Sequence, residues 1–209
     1  MARPREFVAD EVVAKAATAF WLRGYHAMSV DDVLSAIGIG RQSFYNAFGD
    51  KRALLGLCLV RYSEQQLASF ASYFASRPTM AAGFAALFES FLAEPDAHKR
   101  RGCLILNTAV ELAASDVDIA DLAAAYQVAI ENLFAAQLVQ SLPEGSSAID
   151  EARRKARLLV AIYVGLRMMA KADPRSTAIA DAIKLAIEQV IGFVENHIDT
   201  HAALPTPAL

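Results

Sequence analysis

Residues 29–51 read SVDDVLSAIGIGRQSFYNAFGDK. Ser29 stands where a helix N-cap would, and Asp32 occupies the capping-box position. Val30, Val33, Leu34 and Ile37 follow the i, i+3, i+4, i+7 spacing of a helix face. They predict a helix of about two turns that ends at Gly38. Arg41 to Phe48 predict a second short helix with Phe44 and Phe48 on one face, and Gly49-Asp50 precede a longer helix starting near Lys51. Neither short helix can bury a face by itself. Upstream, Val8, Val12, Ala16 and Phe20 step by four, predicting a helix from Glu6 to about Arg23 with Gly24 as its stop. A two-turn helix, a glycine turn and a second short helix have helix-turn-helix spacing, and the upstream helix supplies the missing core.

The exposed face of residues 41–46 then offers Arg41, Gln42, Ser43, Tyr45 and Asn46. Arginine can give two hydrogen bonds to guanine O6 and N7, and Gln or Asn can pair adenine N6 and N7. Ser and Tyr hydroxyls suit phosphate oxygens, and a helix N-terminus favours an anion. Spacing alone leaves a second reading open, a bundle corner with a solvated polar face.

The stretch GYHAMSVDDVLSAIGIGRQSFYNAFGDKRALL, residues 24–55, resembles the DNA-binding head of TetR-family transcriptional regulators. The matching parts are Gly24-Tyr25, Ser29-Val30, Gly38-Ile39, Phe44-Tyr45, Phe48 and Lys51 with Leu54-Leu55. The resemblance implies a homodimer with its heads in neighbouring major grooves of double-stranded DNA. It assigns Arg41, Gln42 and Ser43 to base or adjacent phosphate contacts, with Asn46 a further base-contact candidate. It assigns Tyr45, Lys51 and Ser29 to phosphates. This chain departs from the family pattern at Leu34 and Ile37, where small residues are common. It also departs at Gly40, a usual Ser or Thr cap, and at Gln42, often Gly.

The rest of the chain predicts further helices. Lys51 begins one that stops before Pro78; others span Thr79 to about Ala93, Cys103 to about Ala113, Asp116 to about Ser141, Ile149 to Ala172, and Ser176 to about His197. DAHKRRG and LPEGSS read as links. No strand alternation, repeat or low-complexity block is visible. The expected fold is all-α, a three-helix head followed by a bundle of about six helices. The expected domains are a DNA-binding head at 1–50, a ligand-binding and dimerisation domain at 51–200, and a flexible tail at 201–209.

The 209 residues are 55% apolar, with 10 Gly and 7 Pro, a composition that favours a large helical core over disorder. Net charge is −3, which gives no general attraction to nucleic acid. Residues 1–60 hold seven Lys/Arg against six Asp/Glu, so binding must rest on local charge placement. Two cysteines make no disulfide framework. Glu6, Asp10 and Glu11 interrupt any leader-like apolar run, and no apolar stretch approaches the ~18–20 residues of a membrane span. The expected location is cytoplasmic, with no membrane partner.

In the larger half, Leu158, Ile162, Gly165 and Leu166 line one long helix, and Ile183, Ile187, Val190 and Val194 another. Two copies of this pair would make a four-helix interface, the pair the resemblance also implicates. Asn107, Thr108 and Glu111 are polar intrusions in an apolar helix, and a ligand could satisfy them. Phe84, Phe88, Phe91, Tyr126, Tyr163, Met168 and Met169 are candidate pocket walls, and Arg167 could pair an acidic ligand or make a salt bridge. Cys103 follows HKRRG at a helix start, where basic neighbours favour thiolate. In one branch of the resembling family a cysteine in this area responds to oxidants or electrophiles, which gives an alternative, a redox- or electrophile-sensing repressor acting through Cys103. Cys58, inside LLGLCLV, reads as packing.

The function expected is a ligand-responsive transcriptional regulator, a repressor that binds a palindromic operator as a homodimer and is released by a small-molecule effector. The remote alternative is an all-helical enzyme or a protein-binding bundle. His26, His98, His197 and His201 show no metal-ligand spacing, and no phosphate-binding loop or nucleophile elbow is present. No metal or cofactor is expected.

Overall fold

The computed structural model describes residues 4–142 and 148–202. Among them the fold is all-α, as composition and spacing predict. The helices are α1 (Pro4–Arg23), α2 (Val30–Ile37), α3 (Arg41–Phe48), α4 (Lys51–Ala75), α5 (Met80–Ala93), α6 (Asp96–Arg101), α7 (Leu104–Leu112), α8 (Val117–Gln140), α9 (Ile149–Ala172) and α10 (Thr177–Ala202). Residues 143–147 of the expected LPEGSS link and 203–209 of the expected tail lie outside the described residues. α10 continues past the expected end near His197 to Ala202.

Two elements differ from the sequence reading. DAHKRR is a short helix rather than a link, because the Pro95 carbonyl accepts from His98 N at 2.8 Å and Lys99 N at 3.1 Å. α8 is long and apolar enough to cross a membrane by length and composition, with mean hydropathy 1.3. Ile119, Ala123, Tyr126, Ile130, Phe134 and Leu138 of this helix are buried, while Val117 and Val128 are exposed.

Local chemistry explains the head's boundaries. Ser29 and Asp32 form the reciprocal capping box: Asp32 N donates to Ser29 Oγ at 3.1 Å, and Ser29 N donates to Asp32 Oδ2 at 2.9 Å. Gly38 ends α2 at φ +74°, a left-handed conformation that glycine adopts without penalty. Asp50 caps α4 by accepting from Ala53 N at 2.7 Å.

The chain divides into two compact units, one formed by residues 1–66 with 101–126 and the other by 67–100 with 127–209, within the described residues. In the first, α1 packs on α2 and α7. Ala16 and Phe20 of α1, Val33 and Ile37 of α2, Phe44 of α3, and Leu54, Leu55 and Leu59 of α4 form its core. Cys58 belongs to this core, its Sγ donating to Val13 O at 3.5 Å; burial pushes the thiol up to about 12.

In the second unit α10 packs along α5 and α9. Phe84 meets Phe134 edge-on with ring centroids 5.2 Å apart, and Phe70 meets Tyr163 at 5.3 Å. Gly83 lies so close to the Phe74 ring that a methyl there would collide with it. Leu166, Ile183 and Val190, expected at an interface, are buried in this unit's own core. The helices carry apolar residues on more than one face, and periodicity did not separate them. The side chain of Val194 lies outside the described residues.

Acid is expected to loosen the first unit between pH 4 and 2. The Ser29 hydroxyl and amide, then Arg23, hold the Asp32 carboxyl down at about 2, and Arg52 does the same for Asp116. A carboxyl depressed in the folded state stabilises it above the unfolded value near 3.8 and loses that contribution as pH falls through about 2. Asp32→Asn should flatten part of this dependence in acid titrations followed by circular dichroism. An unchanged profile would mean that the capping box does not carry it.

Candidate nucleic-acid interface

α3 has one buried side chain, Phe44, which is 0% exposed. The ring lies 6.0 Å from Phe48 and 5.2 Å from Tyr45 between centroids. Anchored at this point, α3 turns Arg41, Gln42, Ser43, Tyr45 and Asn46 outward, all of them exposed. The structure therefore gathers the five sequence candidates on one short helix face. Gly40 is the N-cap and provides no side-chain bond, leaving first-turn amides open to an anion such as phosphate.

Two contacts order this face. Arg41 Nη2 donates to Asp31 of α2, a pairing between exposed side chains that sequence spacing did not reveal. Gln42 Nε2 donates to Asn46 Oδ1 at 3.0 Å. In that orientation Gln42 Oε1 remains an acceptor and Asn46 Nδ2 a donor, the complement of an adenine edge.

Ser29 carries the capping duty that the sequence indicated, and Lys51 a structural duty that it did not disclose. The Ser29 hydroxyl donates to Asp32 Oδ2 at 2.6 Å, so its proton serves the cap rather than a phosphate. Lys51 Nζ donates to Tyr25 O at 3.0 Å and Met28 O at 2.7 Å, and lies 3.9 Å from the Tyr25 ring centroid. It ties down the turn between α1 and α2. Lys51→Ala should therefore lower stability by about 1–3 kcal/mol and weaken every duplex alike. A purely ionic phosphate contact would instead reduce the salt slope by about one with the melting temperature unchanged.

The same turn holds the partner of Glu111. Its carboxylate accepts from Tyr25 N at 3.0 Å and His26 N at 2.6 Å. Gly24 precedes them at φ +82°, with Glu111 Oε2 only 3.3 Å from where a Cβ would stand. Glu111 was expected to face a ligand; its carboxylate instead accepts from backbone amides of the turn that follows α1. Asn107 also has a local partner, the Arg101 carbonyl, to which Nδ2 donates at 2.7 Å. Arg52 pairs with Asp116, and Trp21 Nε1 donates to Arg101 O at 3.1 Å. These bonds fasten residues 101–126 to the three-helix head within one unit.

The other ligand candidates are similarly occupied or packed. Arg167 makes a two-bond pair with Glu94, both distances 2.8 Å, and lies 4.7 Å from the Phe91 centroid. Phe88, Cys103, Tyr126 and Tyr163 are each under 5% exposed. Among the described residues no cluster of three or more His, Cys, Asp or Glu could hold a metal ion.

The sequence model for bacterial regulatory proteins of the tetR family matches residues 12–58, which contain α2, α3 and most of α1. Over these residues the chain is similar to the TetR family. Among its relatives is an HTH-type transcriptional regulator, YezE, of Bacillus subtilis (strain 168), 28% identical over 146 residues, 69% of this chain and 75% of the relative. Another is the HTH-type transcriptional repressor ComR of Escherichia coli (strain K12), 29% identical over 124 residues, 57% of this chain and 58% of the relative. Among solved structures, a cysteine variant of the TetR-family regulator CifR, complexed with 26-base-pair double-strand operator DNA, has the same fold. The TM-score is 0.71 at 22% identity, covering 86% of this chain and 95% of that one.

Proposed function

We propose that this chain is a TetR-family regulator, a ligand-responsive repressor that binds a palindromic operator as a homodimer, in the cytoplasm. The observation that carries the DNA reading is the outward face of α3, with Arg41, Gln42, Ser43, Tyr45 and Asn46 exposed around one buried anchor, Phe44. Arg41, Gln42 and Asn46 read base edges; Ser43 and Tyr45 hold phosphates. Residues 1–50 are the DNA-binding domain and 51–200 the ligand-binding and dimerisation domain.

Surface chemistry on α9 and α10 supports the homodimer. Leu158, Met168 and Met169 of α9 and Leu185 and Ile191 of α10 are exposed apolar residues. Leu158, Ala161, Gly165, Met168 and Ala172 repeat at alternating steps of three and four along one face of α9. No described atom lies within 4 Å of where a Cβ would stand on Gly165 or Gly192. Glycine inside a helix costs about 1 kcal/mol against alanine, so close approach of a second backbone gives these two a reason. Leu185→Glu and Gly165→Leu should each convert a dimer to a monomer in sedimentation velocity and weaken operator binding by more than tenfold. Dimers that persist in both variants would move the interface elsewhere.

An effector acts, in this proposal, by moving α7 and the start of α8, which Glu111 and the Arg52–Asp116 pair link to the head. The ligand must bind the DNA-competent and DNA-free states differently. A ligand that binds tightly and leaves operator affinity unchanged would contradict this coupling. Oxidation of Cys103 is the weaker route, because the residue is only 1% exposed.

A further inference from the structure

α2 opens with two adjacent carboxylates that have different duties. Asp32 closes the capping box with Ser29 and pairs Arg23 at 2.9 Å. Asp31 does neither. It reaches across the glycine turn to Arg41, the first residue of α3. The Asp31 side chain is 74% exposed and that of Arg41 55%, so burial does not account for the pairing. Ion pairs this open contribute little to stability. A carboxylate beside a DNA-reading helix also repels phosphates, so general affinity does not favour it.

We propose that Asp31 is a specificity-determining residue: it holds the Arg41 guanidinium for guanine and penalises sites that do not engage Arg41. This inference rests on the reading of α3 as the base-reading helix. A free arginine has many rotamers, and fixing one on DNA is entropically unfavourable. The bond from Nη2 to Asp31 restricts the guanidinium before DNA arrives, while the donors not facing Asp31 remain for guanine O6 and N7. A wrong base pair leaves the arginine without acceptors and brings the Asp31 carboxylate against DNA with no compensating contact. Selectivity therefore comes from an attraction to one base pair and a repulsion from the others.

The test uses the full-length chain, Asp31→Ala, Arg41→Ala and the double variant. Each is selected against a randomised duplex library. The best duplex is then titrated alongside versions altered at single base pairs. The intact protein should prefer a G·C pair that Arg41→Ala ceases to distinguish. Asp31→Ala should keep the rest of the motif, lose tenfold or more of the preference at that same pair, and bind unrelated DNA as tightly as before or more tightly. The double variant should discriminate that pair no worse than Arg41→Ala alone, because the two side chains act as one unit. Asp31→Asn, which keeps an oxygen acceptor without the charge, should fall between Asp31→Ala and the intact protein. Full preference retained in Asp31→Ala, or a loss spread evenly over all base pairs, would overturn the proposal and leave the α3 reading intact. An intact protein with no motif, or one unaffected by Arg41→Ala, would overturn both.

Discussion

Phe44→Ala is expected to lower the stability of the head-containing unit by about 3–5 kcal/mol, the range for deleting a buried aromatic ring. The ring is 0% exposed and is the one buried side chain of α3. Eight residues are too few to hold a helix in water, so α3 depends on this anchor for its place and its conformation. A loss of that size is a large share of the stability of an ordinary domain. Guanidinium unfolding should show a lower midpoint, and hydrogen exchange should show α3 amides losing protection first. DNA binding should fail along with them. Unchanged stability in Phe44→Ala would mean that α3 is held by something other than this packing.

The second large effect concerns recognition rather than folding. Arg41→Ala and Gln42→Ala should each cost about 1–3 kcal/mol on the preferred duplex, with relaxed base preference and an unchanged melting temperature. Both side chains are exposed, so stability should not follow their loss. Gln42 should show a further signature. Its amide is bonded to Asn46 at 3.0 Å, so Asn46→Ala should perturb the same base pair as Gln42→Ala. Titrations against duplexes altered at single positions separate these outcomes. Selectivity unchanged in both Arg41→Ala and Gln42→Ala would remove α3 from base reading.

The head was legible because its signals are local. Ser29 and Asp32 announced a capping box that is present, Gly38 announced a left-handed stop, and the bounds of α3 and α9 agree with those read from spacing. The six-residue α6 was missed because so short a helix, with Ala97 its one apolar side chain, carries no apolar period. The contacts that the sequence did not reveal involve partners far apart along the chain. Glu111 reads as a polar intrusion that a ligand could satisfy, and Arg167 as a partner for either an acidic ligand or a salt bridge. Their partners lie 85 and 86 residues away for Glu111 and 73 for Arg167, beyond the reach of any periodicity. Lys51 looked like a surface cation because the carbonyls it binds, Tyr25 and Met28, belong to a turn that exists only in the folded head. Leu166, Ile183 and Val190 show a related limit: an apolar stripe says that it will be covered, not whether the cover is this chain or a second copy.

One measurement bears most directly on the claim that α3 reads an operator. The full-length chain is selected against a randomised duplex library, and the enriched duplex is titrated at two salt concentrations. The account predicts an inverted repeat bound by two copies, with half-site centres about one helical turn, roughly 34–36 Å, apart. It predicts that the preference survives higher salt and vanishes in Arg41→Ala. An unenriched library, with weak binding that salt abolishes, would contradict it.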